Sequence, residues 1–492
     1  MFLGIDVGTT STKAVLLDDK QAIVASAVAG YEVSQPDPAT SEIDPRRWLD
    51  AVRAVLRRLR DAAGRELGAT QAVGLSGQMH TLVALDRQCE PVRPAILWSD
   101  GRGVVESRML RDSIPDIGDL TGVIPMPSFT APKLLWLSRA RPDEFARIAH
   151  ILWPKDYVRL WLTGEVATDA SDAAGGQLLD ERRRTWADRV VSEVHLPPSC
   201  LPRLHEGTDV AGRLRADVAS ELGLPAEIPV AAGGGDAATT ALGLGCVREG
   251  RGFISLGTGA VFLAAQEAYR PAPDILLHAF AHCLPARWFR MAAMLNGASC
   301  LAWVAQICGA PGIDALLARV EARGHAPGRV LFQPYLRGER TPYNDVSARG
   351  AFVGLDAACD SVDLARAVLE GVAYSLRLGQ ELLAPRAADL ASVALVGGGA
   401  RSRCWDEIIA SVLGRPLAIV ENADTVAALG AARLAMVATG ATLSEVSSDP
   451  PVARLVEPDL RWEAAYLERY ATFKEMYGAL RDLGAGRPSQ AT

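Results

Sequence analysis

Two carboxylates and a histidine occupy the positions of this sequence where chemistry is easiest to build. Asp236 closes the run Pro229-Val230-Ala231-Ala232-Gly233-Gly234-Gly235, in which apolar residues give way to three glycines. Asp6 ends the apolar run Phe2-Leu3-Gly4-Ile5-Asp6-Val7, just ahead of Gly8-Thr9-Thr10. His80 closes Gly77-Gln78-Met79-His80, again after an apolar stretch. A carboxylate at the mouth of a glycine-rich turn can take a proton from a hydroxyl. The bare N–H groups and threonine hydroxyls of a Gly/Thr turn suit a phosphate. Each residue also has a plainer reading: Asp236 as a helix cap, Asp6 as a turn-stabilising aspartate, His80 as a satisfied structural histidine.

The elements that must hold these groups are legible in outline. Strands are expected at 2–7, 13–17 and 23–27, so the first Gly/Thr turn joins strand to strand and is no P-loop, where the turn leads into a helix. Asp44-Pro45 opens a helix with Trp48, Val52, Val55, Leu56 and Leu59 on one face. A strand at 72–76 leads to His80, and Ala95-Ile96-Leu97-Trp98-Ser99-Asp100-Gly101-Arg102 is a further strand-to-loop passage. Pro154-Lys155-Asp156-Tyr157 starts a helix that ends near Thr163-Gly164, with Asp156 read as a cap. Thr168-Asp169-Ala170-Ser171-Asp172 follows as a polar turn.

After Asp236 and its helix, Gly252 to Phe262 repeats the opening device with Gly257-Thr258-Gly259 at its turn. Two such hairpins predict an internally duplicated chain, with the boundary near 243–250. His278 and His282 are spaced for a metal only on a helix; their surroundings read as a strand, so both are read as structural. Phe332 to Pro342 is a loop of aromatic and charged residues. Asp363 is read as the cap of a helix running through Leu369, Glu370 and Tyr374. The strand at 393–396 enters Gly397-Gly398-Gly399-Ala400-Arg401-Ser402, a turn whose N–H groups can meet an anion or nucleotide. From Gly484 onward a frayed tail is expected.

The 492 residues exceed a single core and imply two or more domains. A net charge of −7 gives no basis for binding nucleic acid or an acidic membrane. Eight cysteines without CxxC spacing fit reduced thiols. There is no basic leader, and the most apolar window, 228–247, is glycine-rich and carries Asp236, so no membrane span is expected and a cytoplasmic location is.

Taken in order, these stretches resemble the FGGY carbohydrate kinases, most closely their xylulokinase branch, over essentially the whole length. Besides the motifs above, Thr130-Ala131-Pro132-Lys133-Leu134-Leu135-Trp136, Gly338-Glu339-Arg340-Thr341-Pro342 and the segment from Gly350 to Gly371 carry the likeness. The resemblance implies an α/β fold of two actin-like, ribonuclease H-like ATPase domains, each a mixed sheet flanked by helices, with the site in the cleft between them. It implies a sugar-binding domain at 1–245, a nucleotide-binding domain at 246–484 and a tail at 485–492. It implies phosphoryl transfer from ATP with Mg²⁺ to a sugar hydroxyl, namely the C5 hydroxyl of D-xylulose. Asp236 would be the base, Asp6 would support metal and phosphates, and Met79, His80 and Trp98 would contact sugar. Thr9, Thr10, Lys13, Gly257, Thr258, Gly398, Gly399 and Ser402 would face the nucleotide. Related kinases are often dimers, and a homodimer is an expectation the sequence leaves open. Family members often carry Asn or Gln after the aspartate; here it is Ala237, which leaves another ketopentose, a deoxy-sugar, a polyol or a non-catalytic sugar-binding regulator as alternatives.

Overall fold

The computed structural model describes residues 1–37, 39–324, 326–384, 386 and 389–482; the expected tail lies outside the described residues. In the first half the chain forms strands β1 (Phe2–Val7), β2 (Ser11–Leu17) and β3 (Ile23–Gly30), helix α1 (Arg46–Leu67) and strand β4 (Ala72–Gly77). Helix α2 (Pro154–Thr163), strands β5 (Val210–Arg213) and β6 (Pro229–Ala231), and helix α3 (Asp236–Gly243) follow. The sheet runs β5-β6-β4-β1-β2-β3, with Gly234–Gly235 adding a short pairing to β4. Strand β1 is antiparallel to β2 and parallel to β4. It is buried throughout, as a strand covered on both faces must be, whereas β3 at the edge alternates exposed and half-buried residues.

The second half repeats this plan. Its elements are β7 (Gly250–Leu256), β8 (Ala260–Gln266), β9 (His278–Ala281), β10 (Trp288–Met294) and α4 (Ser361–Leu383). They continue with β11 (Leu390–Val396), α5 (Arg403–Leu413), β12 (Leu417–Val420), α6 (Val426–Ala438) and β13 (Val452–Val456). The order β10-β8-β7-β11-β12-β13 reproduces β3-β2-β1-β4-β6-β5, with β9 added at the β10 edge. The senses match as well: β7 is antiparallel to β8 and parallel to β11, and β12 is antiparallel to β13. The duplication read from two hairpins is therefore present strand for strand.

The halves meet through bare backbone. A methyl group on Gly4 would lie 2.0 Å from the Ala428 carbonyl oxygen, and one on Gly74 would lie 1.8 Å from that of Ala431. One on Gly430 would lie 1.9 Å from the Thr239 carbonyl oxygen. Small residues at these points let α6 of the second half lie on β1 and β4 of the first and against α3. Arg433 of α6, almost fully buried, donates to the Leu242 and Gly243 carbonyls at 2.8 and 3.1 Å. These are the last carbonyls of α3, the end of a helix that favours a cation.

Helix α1 buries Trp48, Val52, Val55, Leu56 and Leu59, the face expected from spacing. Asp44 accepts from the Arg46 N–H at 3.0 Å, so it caps as expected while the helix starts one residue later. The cap of α4 is Asp360, not Asp363. Asp360 accepts from the Val362 and Asp363 N–H groups at 2.8 and 3.1 Å, and Asp363 answers by accepting from the Asp360 N–H at 3.0 Å. That reciprocal pairing is a capping box, here with an aspartate at both of its positions. All eight cysteines are free thiols, and no described helix is long and apolar enough to cross a membrane.

Candidate active site between the two halves

A cleft of about 250 Å³ opens where the two halves face each other, and Met79, His80, Trp98, Asp236 and Ala237 line it from the first half. The glycines before Asp236 are required by contact. Gly233 has a φ of +82° and a methyl group there would strike the Leu75 carbonyl, while one on Gly235 would strike Met79. Asp236 begins α3 and accepts from its neighbour's N–H, Ala237, at 2.8 Å. The capping position itself is Gly235, so Asp236 is the first residue of the helix and not its cap, and it lines the cleft. Burial, and next the charge of Asp6, raise its pKa to about 7, against the pull of nearby N–H groups.

Asp6 is buried at the end of β1 and accepts from the Ser76 hydroxyl at 2.7 Å, which in turn lies 2.8 Å from the Thr239 hydroxyl. Burial raises Asp6, and the Ser76 bond and the Lys13 charge only partly offset it. Ser76 and Thr239 tie strand β4 and helix α3 to this carboxylate, and neither was visible as a site residue from sequence. The Gly8 carbonyl accepts from Gln78 Nε2 at 3.0 Å and from the Tyr31 hydroxyl at 2.5 Å, fixing the first Gly/Thr turn. Trp98 Nε1 donates to the Thr9 hydroxyl at 2.8 Å, joining the cleft wall to that turn. Thr10 is exposed beside it.

His80 adopts a left-handed φ of +67° and packs its ring on Phe129 at 4.4 Å between centroids. Its Nδ1 meets the Gly175 carbonyl, leaving Nε2 for the cleft. Burial holds its pKa down to about 3, the Gly175 bond opposing and the Lys133 and Arg340 charges adding, so the imidazole is neutral. Lys133 is itself buried and donates to the His80 and Leu97 carbonyls at 3.0 and 2.7 Å, which holds the His80 and Trp98 segments together.

Behind the glycine turn lies an ion cluster that the sequence alone reads as a cap at Asp156 and a polar turn at 168–172. Lys155 Nζ reaches Asp156, Asp169 and Asp172 at 2.6, 2.9 and 2.9 Å, with every side chain fully buried. Asp156 also pairs with Arg159 at 2.6 Å. Asp156 therefore does not cap α2, contrary to the expectation from sequence; its oxygens go to the side chains of Lys155, Arg159 and Thr168 in a buried network, while Trp153 holds the capping position. Burial alone would lower the Lys155 pKa, but the three carboxylates outweigh it and raise it above its ordinary value. The network grips the chain before Asp236. Asp169 accepts from the Ser171 hydroxyl, Ser171 Oγ accepts from the Gly235 N–H at 2.9 Å, and Arg159 donates to the Ala232 carbonyl at 2.7 Å.

On the second half, Gly257-Thr258 forms the β7–β8 turn, with Thr258 exposed and both carbonyls taken by the start of the next helical segment, at Ala298 and Gly297. Gly398 faces open space. Gly399 is packed on Leu256, which a methyl group would strike at 2.4 Å. Ser402 accepts from the Trp405 N–H at 3.3 Å as cap of α5, leaving its proton free. Lys13 donates to the Asp424 carbonyl at 2.7 Å, so one of its N–H groups bridges the halves. His278, read as structural, is on a strand as expected, yet it and Arg340 line the cleft from the second half.

Paired actin-like lobes with a half-buried carboxylate on the wall of the cleft between them define a class of phosphotransferases. The models of the N-terminal and C-terminal domains of the FGGY family of carbohydrate kinases match residues 1–243 and 252–439. The chain belongs to this family and is a carbohydrate kinase, with ATP as a substrate. It is 41% identical over 487 residues to the xylulose kinase of Escherichia coli, covering 99% of this chain and 100% of that one. The crystal structure of a "xyloylose kinase" from Brucella ovis superposes with a TM-score of 0.94 at 44% identity, covering 98% of this chain and 99% of that one. The xylulose kinase of Rhodospirillum rubrum gives 0.89 at 30% identity, covering 98% and 99%.

Proposed function

We propose that the protein phosphorylates the C5 hydroxyl of D-xylulose, giving D-xylulose 5-phosphate and ADP. The single observation that carries the mechanism is Asp236, a carboxylate raised to about 7 on the wall of a cleft shared by both halves. A base with a pKa near the working pH accepts a hydroxyl proton efficiently, an effect of about 10²–10⁴-fold. The choice of D-xylulose rests on likeness to xylulose kinases along the entire chain.

In this reading residues 1–245 hold the sugar and the base, and residues 246–484 hold the nucleotide. Met79 and His80 contact the sugar, His80 through the ring nitrogen that Gly175 leaves free, and Trp98 forms the wall between sugar and the Thr9 turn. Thr9 and Thr10 on one side and Gly257 and Thr258 on the other offer N–H and hydroxyl groups to the phosphates. Gly398, with open space in front of it, lets the nucleotide approach backbone. Asp236 takes the proton as the hydroxyl oxygen attacks the terminal phosphorus; the bond to ADP breaks in line. Excluding water from the cleft directs the phosphoryl group to sugar.

Mg²⁺ fits the donors present. Asp6 and Asp236 are oxygen donors, and the Asp6 charge raises the cost of ionising Asp236, a repulsion that a cation relieves. Among the described residues no cluster of three ligating side chains exists, which suits an ion held by one or two carboxylates and by phosphates. Asp6 would hold it, and its contribution is to neutralise charge on the phosphates.

The test is a mass-resolved product assay with ATP, Mg²⁺ and a mixed pool of ketoses and polyols. D-Xylulose 5-phosphate should dominate. Ala237, apolar on the cleft wall, favours a second reading in which a broader set of sugars is accepted, since no amide there rejects a missing hydroxyl. Comparable turnover of several pentuloses would establish that reading, and sugar binding without any ADP release would show a regulator.

A further inference from the structure

The second half is not only a nucleotide lobe: it lines the cleft with two polar groups, His278, which has no hydrogen-bond partner among the described residues, and Arg340, which has one long one. His278 is 1% exposed, and neither ring nitrogen has a hydrogen-bond partner among the described residues. Its ring lies 5.8 Å from Phe129 and 5.3 Å from Phe280, so Phe129 stands between His278 and His80, one histidine from each half. A buried imidazole without partners costs stability unless something supplies them. Strand β9, which carries His278, is the one strand of the second sheet that the first sheet lacks.

Arg340 presents the complementary problem. Its guanidinium lines the same cleft, forms no ion pair with a described residue, and makes one long contact, 3.4 Å, to the Ser128 hydroxyl of the first half. Its neighbour Glu339 is turned away, accepting from the Leu295 and Arg340 backbone N–H groups at 2.8 Å each. The backbone that bears Arg340 is fixed: Thr341 accepts from the Ala293 N–H at 3.1 Å and donates to the Leu276 carbonyl at 3.0 Å. The loop is therefore stitched to β10 and to the entrance of β9, and both groups are held in place before any ligand arrives.

Building on the proposed substrate, we infer that Arg340 and His278 complete the sugar pocket from the second half, Arg340 donating to the carbonyl oxygen of the ketose and His278 pairing with an adjoining hydroxyl. A guanidinium offers donors only and matches an oxygen that only accepts; a neutral imidazole offers one donor and one acceptor and matches a hydroxyl. Burial and the Arg340 charge keep His278 neutral. The pair reads the part of the sugar remote from Asp236, and it does so only when both halves contact the ligand.

The experiment compares D-xylulose with its reduction products, xylitol and D-arabinitol, which carry a hydroxyl in place of the carbonyl. The unmodified enzyme should prefer the ketose. Arg340→Met should raise the KM for D-xylulose about 10- to 100-fold, leave the KM for ATP within about twofold, and collapse the ketose-to-polyol preference. Arg340→Lys, which keeps charge and bulk, should recover part of the preference and serves as the readout if the methionine variant does not fold. His278→Phe should raise the sugar KM about tenfold, with His278→Gln recovering part of the loss. Equal losses on ketose and polyol, or a rise in the ATP KM that tracks the sugar KM, would overturn the inference. An unmodified enzyme that ignores D-xylulose but phosphorylates another ketose would instead overturn the proposed substrate, and the same ratio would then be measured on that ketose and its polyol.

Discussion

The two halves share a sheet and differ in what stands at the ends of corresponding strands. After β6 the first half places three glycines and a carboxylate that opens α3 into the cleft. After β12 the second half places Glu421-Asn422-Ala423-Asp424-Thr425, and its helix α6 opens on the buried Val426. The acid in that connection, Asp424, is largely exposed and paired with Arg401. The ends of β4 and β11 diverge likewise: Ser76, Gln78, Met79 and His80 bring side chains, whereas Gly397, Gly398 and Gly399 bring bare backbone. One copy of the fold ends these strands in polar side chains and the other in bare backbone, the contrast on which the proposed division between sugar and phosphate rests. The difference teaches that a shared topology supplies positions, and that function is decided by which positions keep a side chain.

Substitutions can break that contrast at its strongest point first. Asp236→Asn should lower kcat about 10³-fold while the KM values for sugar and ATP stay within about threefold, read by ADP release. A comparable rise in both KM values would make Asp236 as structural as Val426. Lys155→Met leaves three buried carboxylates without their cation and should cost about 3–5 kcal/mol, seen as a large fall in melting temperature. Arg401→Ala on the second half removes an exposed pair and should cost under about 1 kcal/mol. Ser171→Ala frees the Gly235 N–H and should reduce kcat up to about tenfold with the sugar KM unchanged; Ser171→Thr, which keeps the hydroxyl, should recover much of it.

The pH dependence sharpens the comparison most finely. Because burial and Asp6 raise Asp236 to about 7, its ionised form is present above that pH and lost below, so kcat/KM should climb through neutrality. In the metal-free protein Asp6→Asn removes the second of these causes and should move the Asp236 titration to lower pH by infrared difference spectroscopy. An unmoved titration would leave burial as the whole cause.

Much of this was legible in the chain because strand-ending glycines and Gly/Thr turns are local signals. Gly8-Thr9, Gly233 to Asp236 and Gly257-Thr258 each lie within a few residues, as does the apolar face of α1. The groups that escaped notice are those assembled over distance. Lys155 meets Asp169 and Asp172 from a different element, and their grip on Gly235 spans 64 residues from Ser171. Asp363 and Asp360 could be exchanged because a capping box places similar acids three apart. The strand containing His278 was foreseen, but alternation along a strand does not reveal that one face looks across at another domain. Arg340 stood in a charged loop whose partner surface only the fold provides.

The contact of Gly4 and Gly74 with Ala428 and Ala431 leaves neither half room for a methyl group. The mouth of the cleft, by contrast, is bordered by the exposed Thr10, Thr258 and the partly exposed Trp98. A jaw fastened so tightly at its root would gape by swinging, with the tips travelling farthest and the base scarcely shifting. Asp236 rides on α3, whose far end Arg433 clasps, so under the proposed function the proton acceptor would stand near the pivot of such a swing.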